Sequence, residues 1–206
     1  MLVYTYFQLV GILIGGIVAF RLRMPKIESE HKKNLYICAV LGLIIGMKLP
    51  VLLSYEWNPS FILNGKSYMG GILGAFVGIN LYKLFVRQTK QAFGGRFVIP
   101  LAIAAGFGKI GCYYNGCCSG VISVPTQIIE SIFQFLMAIF VYIFYKKTQR
   151  TDLLFPIYLL VYLIMRFIIE FVRIEPRIIW GLTIYQILSV IFIPIVIIIL
   201  WRRRHA

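Results

Sequence analysis

Apolar residues in this chain run in blocks of about 20, and polar residues interrupt the blocks at few places. The blocks predict helices over Leu2–Phe20, Leu35–Leu53, Tyr68–Phe85, Phe97–Asn115, Gln127–Tyr145, Leu153–Val172 and Leu182–Trp201. Each is long enough to cross a bilayer, and a helix satisfies its own backbone polar groups in lipid. The alternating pattern of a membrane barrel is absent. The expected fold is all-α: a polytopic membrane protein with seven transmembrane helices, forming a single transmembrane domain over residues 1–206. The loops are short and leave no room for a sizeable soluble domain.

Composition agrees with this pattern. The chain is 60% hydrophobic, with a mean hydropathy of +0.86. Its net charge of +14 would suggest a nucleic-acid partner in a soluble protein. Here the cations read as topology signals and contacts to anionic lipid, so no nucleic acid is expected. Arg21, Arg23, Lys26, Lys32 and Lys33 follow the first span; Lys83, Arg87, Lys90 and Arg96 follow the third. Lys146, Lys147 and Arg150 follow the fifth, and Arg202, Arg203 and Arg204 the seventh. The opposite loops hold only Lys66, Arg173 and Arg177. This bias predicts an outside N-terminus and a cytoplasmic C-terminus, a parity that needs an odd number of spans. The first span lacks a basic leader and an A-x-A site, so it reads as a retained helix rather than a cleaved signal peptide.

With that topology the unusual polar residues gather at one depth. Met69-Gly70-Gly71 opens the third span, and Lys109, Cys112 and Asn115-Gly116 lie toward the outer end of the fourth. Pro125-Thr126-Gln127 and Glu130 open the fifth, while Arg166, Glu170 and Arg173 close the sixth. The spacing i, i+4, i+7 puts those last three on one helix face. A structural ion pair is one reading. The other is that the carboxylate holds two arginines for an anionic group, and guanidinium suits phosphate because it donates two parallel hydrogen bonds. A phospholipid headgroup is the anion available at that depth. Lys109 either snorkels to the interface or serves the same site. Gly108 and Gly111 beside it let a backbone or lipid come close. Lys48 reads as a snorkelling lysine. Glu130, one turn into the fifth helix, suits a helix N-terminus; a general base or a partner for Lys109 are its other roles.

Cys112, Cys117 and Cys118 fall on the side where disulfides are possible. Adjacent cysteines rarely bridge each other, so Cys112 with Cys117 or Cys118 is the available pairing. A zinc site usually takes four ligands, and His31 and His205 are predicted on the opposite side, so no metal is expected. The Gly116–Gly120 turn reads as small-residue packing. Cys38 reads as an inert core thiol.

Taken together, these segments resemble the bacterial prolipoprotein diacylglyceryl transferases. Ile45-Gly46-Met47-Lys48-Leu49 looks like a family segment. Met69-Gly70-Gly71-Ile72-Leu73-Gly74 is similar to H-G-G-L-x-G, and Gly108 to Gly116 to G-R-I-G-N-F-x-N-G. Pro125-Thr126-Gln127 with Glu130 resembles P-[ST]-Q-x-x-E. Arg166 to Arg173 matches R-F-x-x-E-x-x-R, and Thr183 to Ser189 resembles a segment containing G-Q-x-L-S. Six motifs stand in the family's order across nearly every span. Three positions depart: Met69 replaces the motif histidine, Lys109 the signature arginine and Cys112 the asparagine. Lysine keeps the charge without the bidentate fork, and methionine keeps neither proton nor charge.

The resemblance implies transfer of diacylglyceryl from phosphatidylglycerol to a cysteine thiol of a prolipoprotein or lipobox-like peptide, with no cofactor, at the outer leaflet of the bacterial cell membrane. The implied catalytic residues are Arg166, Lys109, Glu170, Arg173 and Glu130. Gly70, Gly71, Gly111, Asn115, Gly116, Gly120 and Gln127 are the implied substrate-binding positions. A non-catalytic lipid- or peptide-binding protein on the same scaffold is the alternative. A thiol oxidoreductase built on the three cysteines is a third possibility, weakened by the missing C-x-x-C.

Overall fold

The computed structural model describes residues 2–22, 31–54, 65–86, 94–121 and 124–205. Among them are seven helices long and apolar enough to cross a membrane. They are α1 (Leu2–Arg21), α2 (Lys32–Ser54), α3 (Tyr68–Phe85), α4 (Val98–Tyr114), α5 (Thr126–Thr148), α6 (Thr151–Ile169) and α7 (Ile184–Arg204). The chain is thus an all-α, multi-pass membrane protein, as the apolar blocks predicted. The loop cations Arg23, Lys26, Arg87 and Lys90 lie outside the described residues.

Helix limits differ from the sequence expectation at two informative places. The sixth span does not stay α-helical through Val172. After Ile169 it tightens into a 3-10 turn, Glu170–Val172, and Arg173 is extended, with φ −91° and ψ 150°. The seventh helix does not begin at Leu182. Strand β1 (Arg177–Ile179) pairs antiparallel with β2 (Leu182–Thr183). Trp180 and Gly181 form the turn, both with positive φ, which suits a two-residue hairpin. The helix then starts on a reciprocal cap. Gln186 N donates to Thr183 Oγ1 at 3.3 Å, and Thr183 N donates to Gln186 Oε1 at 3.1 Å.

The described residues form two compact units. One holds α2, α3, the hairpin and the first residues of α7. Its helix pair is built on small residues: a Cβ added at Gly46 would stand 2.7 Å from the Gly74 Cα, and one added at Gly78 would meet the Cys38 carbonyl. Close backbone approach is what holds helices together where lipid cancels the hydrophobic drive. Gly74→Val is therefore expected to destabilise the protein in detergent by about 1–3 kcal/mol through overpacking. Gly16→Val, with open space around the added atoms, is expected to be neutral. Thermal unfolding of the two variants checks this, and equal melting points would refute the tight seam.

The other unit holds α1, the stretch from Gly94 to Ile174, and α7 from Ser189 onward. Here α4 lies between α1 and α5. Phe7 and Tyr114 stack with ring centroids 5.4 Å apart, and Phe107 meets Phe135 edge-on at 5.3 Å. At Gly106 an added Cβ would strike the Phe135 ring at 2.8 Å, while the Gly106 carbonyl accepts from Ser131 Oγ at 2.9 Å. Helix α6 supplies the core with buried Leu154, Tyr158, Leu159, Tyr162 and Leu163. Tyr158 OH donates to Gln134 Oε1 at 2.8 Å, which sets α5 against α6.

Candidate active site

A charged cluster sits inside this second unit, where α4, α5 and the end of α6 meet. Glu130 is its centre and is 1% exposed. Lys109 Nζ lies 2.6 Å from Glu130 Oε2. Arg166 Nη1 and Arg173 Nη1 share Glu130 Oε1, at 3.1 and 2.8 Å. Glu170 takes the same two arginines, with Oε2 3.1 Å from Arg166 Nη2 and 3.7 Å from Arg173 Nε. Burying charges this deeply is costly unless they are paired and hydrogen-bonded. Three cations against two carboxylates leave one positive charge over.

The break in α6 explains how Arg173 arrives. In a continuous helix it would follow Arg166 and Glu170 along one face. Instead the backbone leaves the helix, and an isolated bridge joins Arg173 to Gly120. The guanidinium then turns back, bonding Glu130 and the Cys118 carbonyl, the latter at 3.4 Å. Arg166 and Glu170 pair at i, i+4 as the helical spacing expected, and Arg173 joins them from the helix ending. Of the roles open to Glu130, the structure displays the ion pair with Lys109, and both its oxygens are engaged with cations.

The loop after α4 closes over this cluster. Asn115 caps α4, and Gly116 has φ +69°. Gln127 Nε2 donates to the Cys117 carbonyl at 2.7 Å, and Thr126 Oγ1 to the Cys118 carbonyl at 2.8 Å. A Cβ at Gly120 would meet Thr126 Cγ2 at 2.7 Å and the Val172 carbonyl at 2.8 Å. Gly120, bridged to Arg173, and Gln127, bonded to the loop, thus stand beside the cations, while Asn115 and Gly116 open the loop. Gly111 faces Tyr4 and Phe7 of α1, whereas Gly108 faces open space. Gly70 and Gly71 lie in the other unit, where Gly70 packs on the Gly46 carbonyl and Pro50. Met69 is buried there, at 1% exposure. Lys48 Nζ donates to the Gly65 carbonyl at 3.0 Å.

All four cysteines are free thiols. The sulfurs of Cys112, Cys117 and Cys118 lie within 4.8 Å of one another. Sequence spacing favoured a packing turn or a disulfide over a metal site, because the left-handed backbone that folds the turn back cannot be read from spacing. The Cys118 thiol is held well below the usual thiol range by the Cys112 and Cys117 thiols directed at it, with the Lys109 and Arg173 charges adding to the effect. Donation to Cys118 pushes the Cys117 thiol up.

Comparison with known proteins decides what this scaffold is. The profile of the prolipoprotein diacylglyceryl transferase family matches residues 1–202. The chain belongs to that family. It is 28% identical over 205 residues to the phosphatidylglycerol–prolipoprotein diacylglyceryl transferase of Clostridium tetani, covering 85% of this chain and 82% of the relative. Phosphatidylglycerol–prolipoprotein diacylglyceryl transferase 2 of Clostridium perfringens is 30% identical over 207 residues, covering 85% and 80%. The enzyme of that name from Helicobacter pylori strain G27 is 27% identical over 229 residues, covering 89% and 80%. The family resemblance carried by the six motifs is therefore correct, and the buried cluster holds the matching positions of two of them, P-[ST]-Q-x-x-E and R-F-x-x-E-x-x-R.

Proposed function

We propose that this chain transfers a diacylglyceryl group from phosphatidylglycerol to a cysteine thiol of a prolipoprotein or lipobox-like peptide. The site faces the outer leaflet of a bacterial cell membrane, with the N-terminus outside and the C-terminus in the cytoplasm. The single observation that carries the reading is the buried cluster of Lys109, Arg166 and Arg173 around two carboxylates, with one positive charge in surplus.

The chemistry calls for such a cluster. The thiolate attacks the glyceryl carbon, a carbon–sulfur bond forms, and the carbon–oxygen bond to phosphate breaks. Negative charge grows on the departing glycerol phosphate. Cations fixed before the reaction stabilise that charge more in the transition state than in the ground state. Lys109, with a side chain 15% exposed against 5% and 3% for Arg166 and Arg173, is the cation open to the lipid phosphate. Arg166 and Arg173 complete the cradle, and Glu130 and Glu170 position all three. Asn115, Gly116, Gly120 and Gln127 shape the loop where the substrate enters.

Purified protein given phosphatidylglycerol and a lipobox peptide is expected to release glycerol phosphate and to add a diacylglyceryl mass to the peptide. Expression in cells depleted of their own transferase is expected to restore lipoprotein lipidation. Phosphatidylglycerol binding with neither product would instead establish the non-catalytic alternative. That alternative is favoured by buried Met69, which offers no proton where the family motif has histidine.

A further inference from the structure

Cys112 stands at the asparagine position of the signature that this segment resembles, and the loop after it brings Cys117 and Cys118 to its side. Its backbone is built to bring the sulfurs together. Gly116 and Cys118 both take left-handed conformations, with φ +69° and +63°. For cysteine that conformation costs about 1–3 kcal/mol and persists only where the surroundings impose it. Here they do. Cys117 N donates to the Cys112 carbonyl at 3.1 Å. The carbonyls of Cys117 and Cys118 are held by Gln127 and Thr126 from α5.

We propose that Cys112, Cys117 and Cys118 form a three-thiolate site for a zinc-class divalent ion, whose open fourth position binds and deprotonates the incoming substrate thiol. The second half rests on the transferase reading above. The first half rests on the sulfurs alone. Thiolates at about 2.3 Å from a tetrahedral ion stand about 3.8 Å apart, so sulfurs already within 4.8 Å close on it by about an ångström or less. Thiolate ligands select soft ions of this class over magnesium or calcium. Four ligands close a structural zinc site, whereas three leave room for a reactant. Among the described residues the group contains three ligands.

Cations stand beside the three thiols. Arg173 bonds the Cys118 carbonyl directly, and Lys109 stands one turn before Cys112 on α4. The metal site would also supply a means of generating the nucleophile. A thiol bound to such an ion loses its proton outright, here to water. The resulting thiolate then bonds to the glyceryl carbon while the electron pair of the breaking carbon–oxygen bond leaves with glycerol phosphate. The ion is unchanged, so no oxidant or reductant is required.

Cobalt(II) is the probe. Protein purified with all thiols reduced and stripped of metal by a chelator is titrated with Co(II) in detergent. One equivalent is expected to give an intense thiolate-to-cobalt absorption, which zinc abolishes. Cys38→Ser is expected to leave the signal intact, and Cys117→Ser to weaken it. Adding a cysteine-containing lipobox peptide, but not its serine counterpart, is expected to shift the cobalt visible bands. Failure of the reduced protein to develop the absorption overturns the site. Full glycerol phosphate release by metal-stripped protein overturns the role of the open position. Cobalt binding and a peptide shift without turnover of any preparation would sink the transferase reading and leave the thiol-binding metal site standing.

Discussion

Arg166→Ala is expected to abolish phosphatidylglycerol-dependent lipidation, with a loss of about 10²–10³-fold or more, the range seen when one preorganised oxyanion donor is removed. The guanidinium reaches Glu130 through Nη1 and Glu170 through Nη2. It therefore fixes both carboxylates and, through them, Lys109 and Arg173. The truncated side chain removes the surplus positive charge as well as the fork. Arg166→Lys restores the charge and lets the effects be separated: it is expected to recover phosphatidylglycerol binding more than turnover, because an ammonium cannot hold both carboxylates in one plane. Glycerol phosphate release from folded, detergent-solubilised variants measures the effect. Wild-type rates in Arg166→Ala would remove the phosphate cradle from the mechanism.

Much of this site was legible in the amino-acid order, for an identifiable reason. Seven apolar blocks of bilayer length admit few folds, and a charge inside such a block is expensive enough to mark its own position. Lys109, Glu130, Arg166, Glu170 and Arg173 could thus be picked out one by one. Their pairing was less legible. That Lys109 meets Glu130 depends on how α4 packs on α5, which Gly106 and Phe135 set across 29 positions of sequence. The helix break at Glu170 was missed because R-x-x-x-E-x-x-R is also a good helical face. The reciprocal Thr183–Gln186 cap was present as T-x-x-Q, but the apolar residues around it read as one continuous span. The cysteine cluster depends on two left-handed residues, and at Cys118 the side chain gives no hint of one.

Glu130→Gln is expected to be the most destabilising substitution in the molecule. It leaves three cations gathered around a neutral amide, with Glu170 alone to offset them. Breaking a buried charge network by removing one partner typically costs about 3–5 kcal/mol. The loss should appear as a large drop in the detergent melting temperature. Adding Lys109→Met removes the cation whose ion pair in the described residues is with Glu130, so the double variant is expected to recover part of that stability. The coupling energy between the two positions follows from the cycle. An additive cycle would mean that the 2.6 Å contact contributes nothing to the fold. The double variant also separates charge from geometry, since Arg166, Arg173 and Glu170 still leave one positive charge over. If surplus charge alone recruits the lipid, this variant binds phosphatidylglycerol as the wild type does. Its turnover is nonetheless expected to fall, because Lys109 is the cation most open to the departing phosphate, and wild-type turnover in a folded double variant would place the catalytic charge elsewhere.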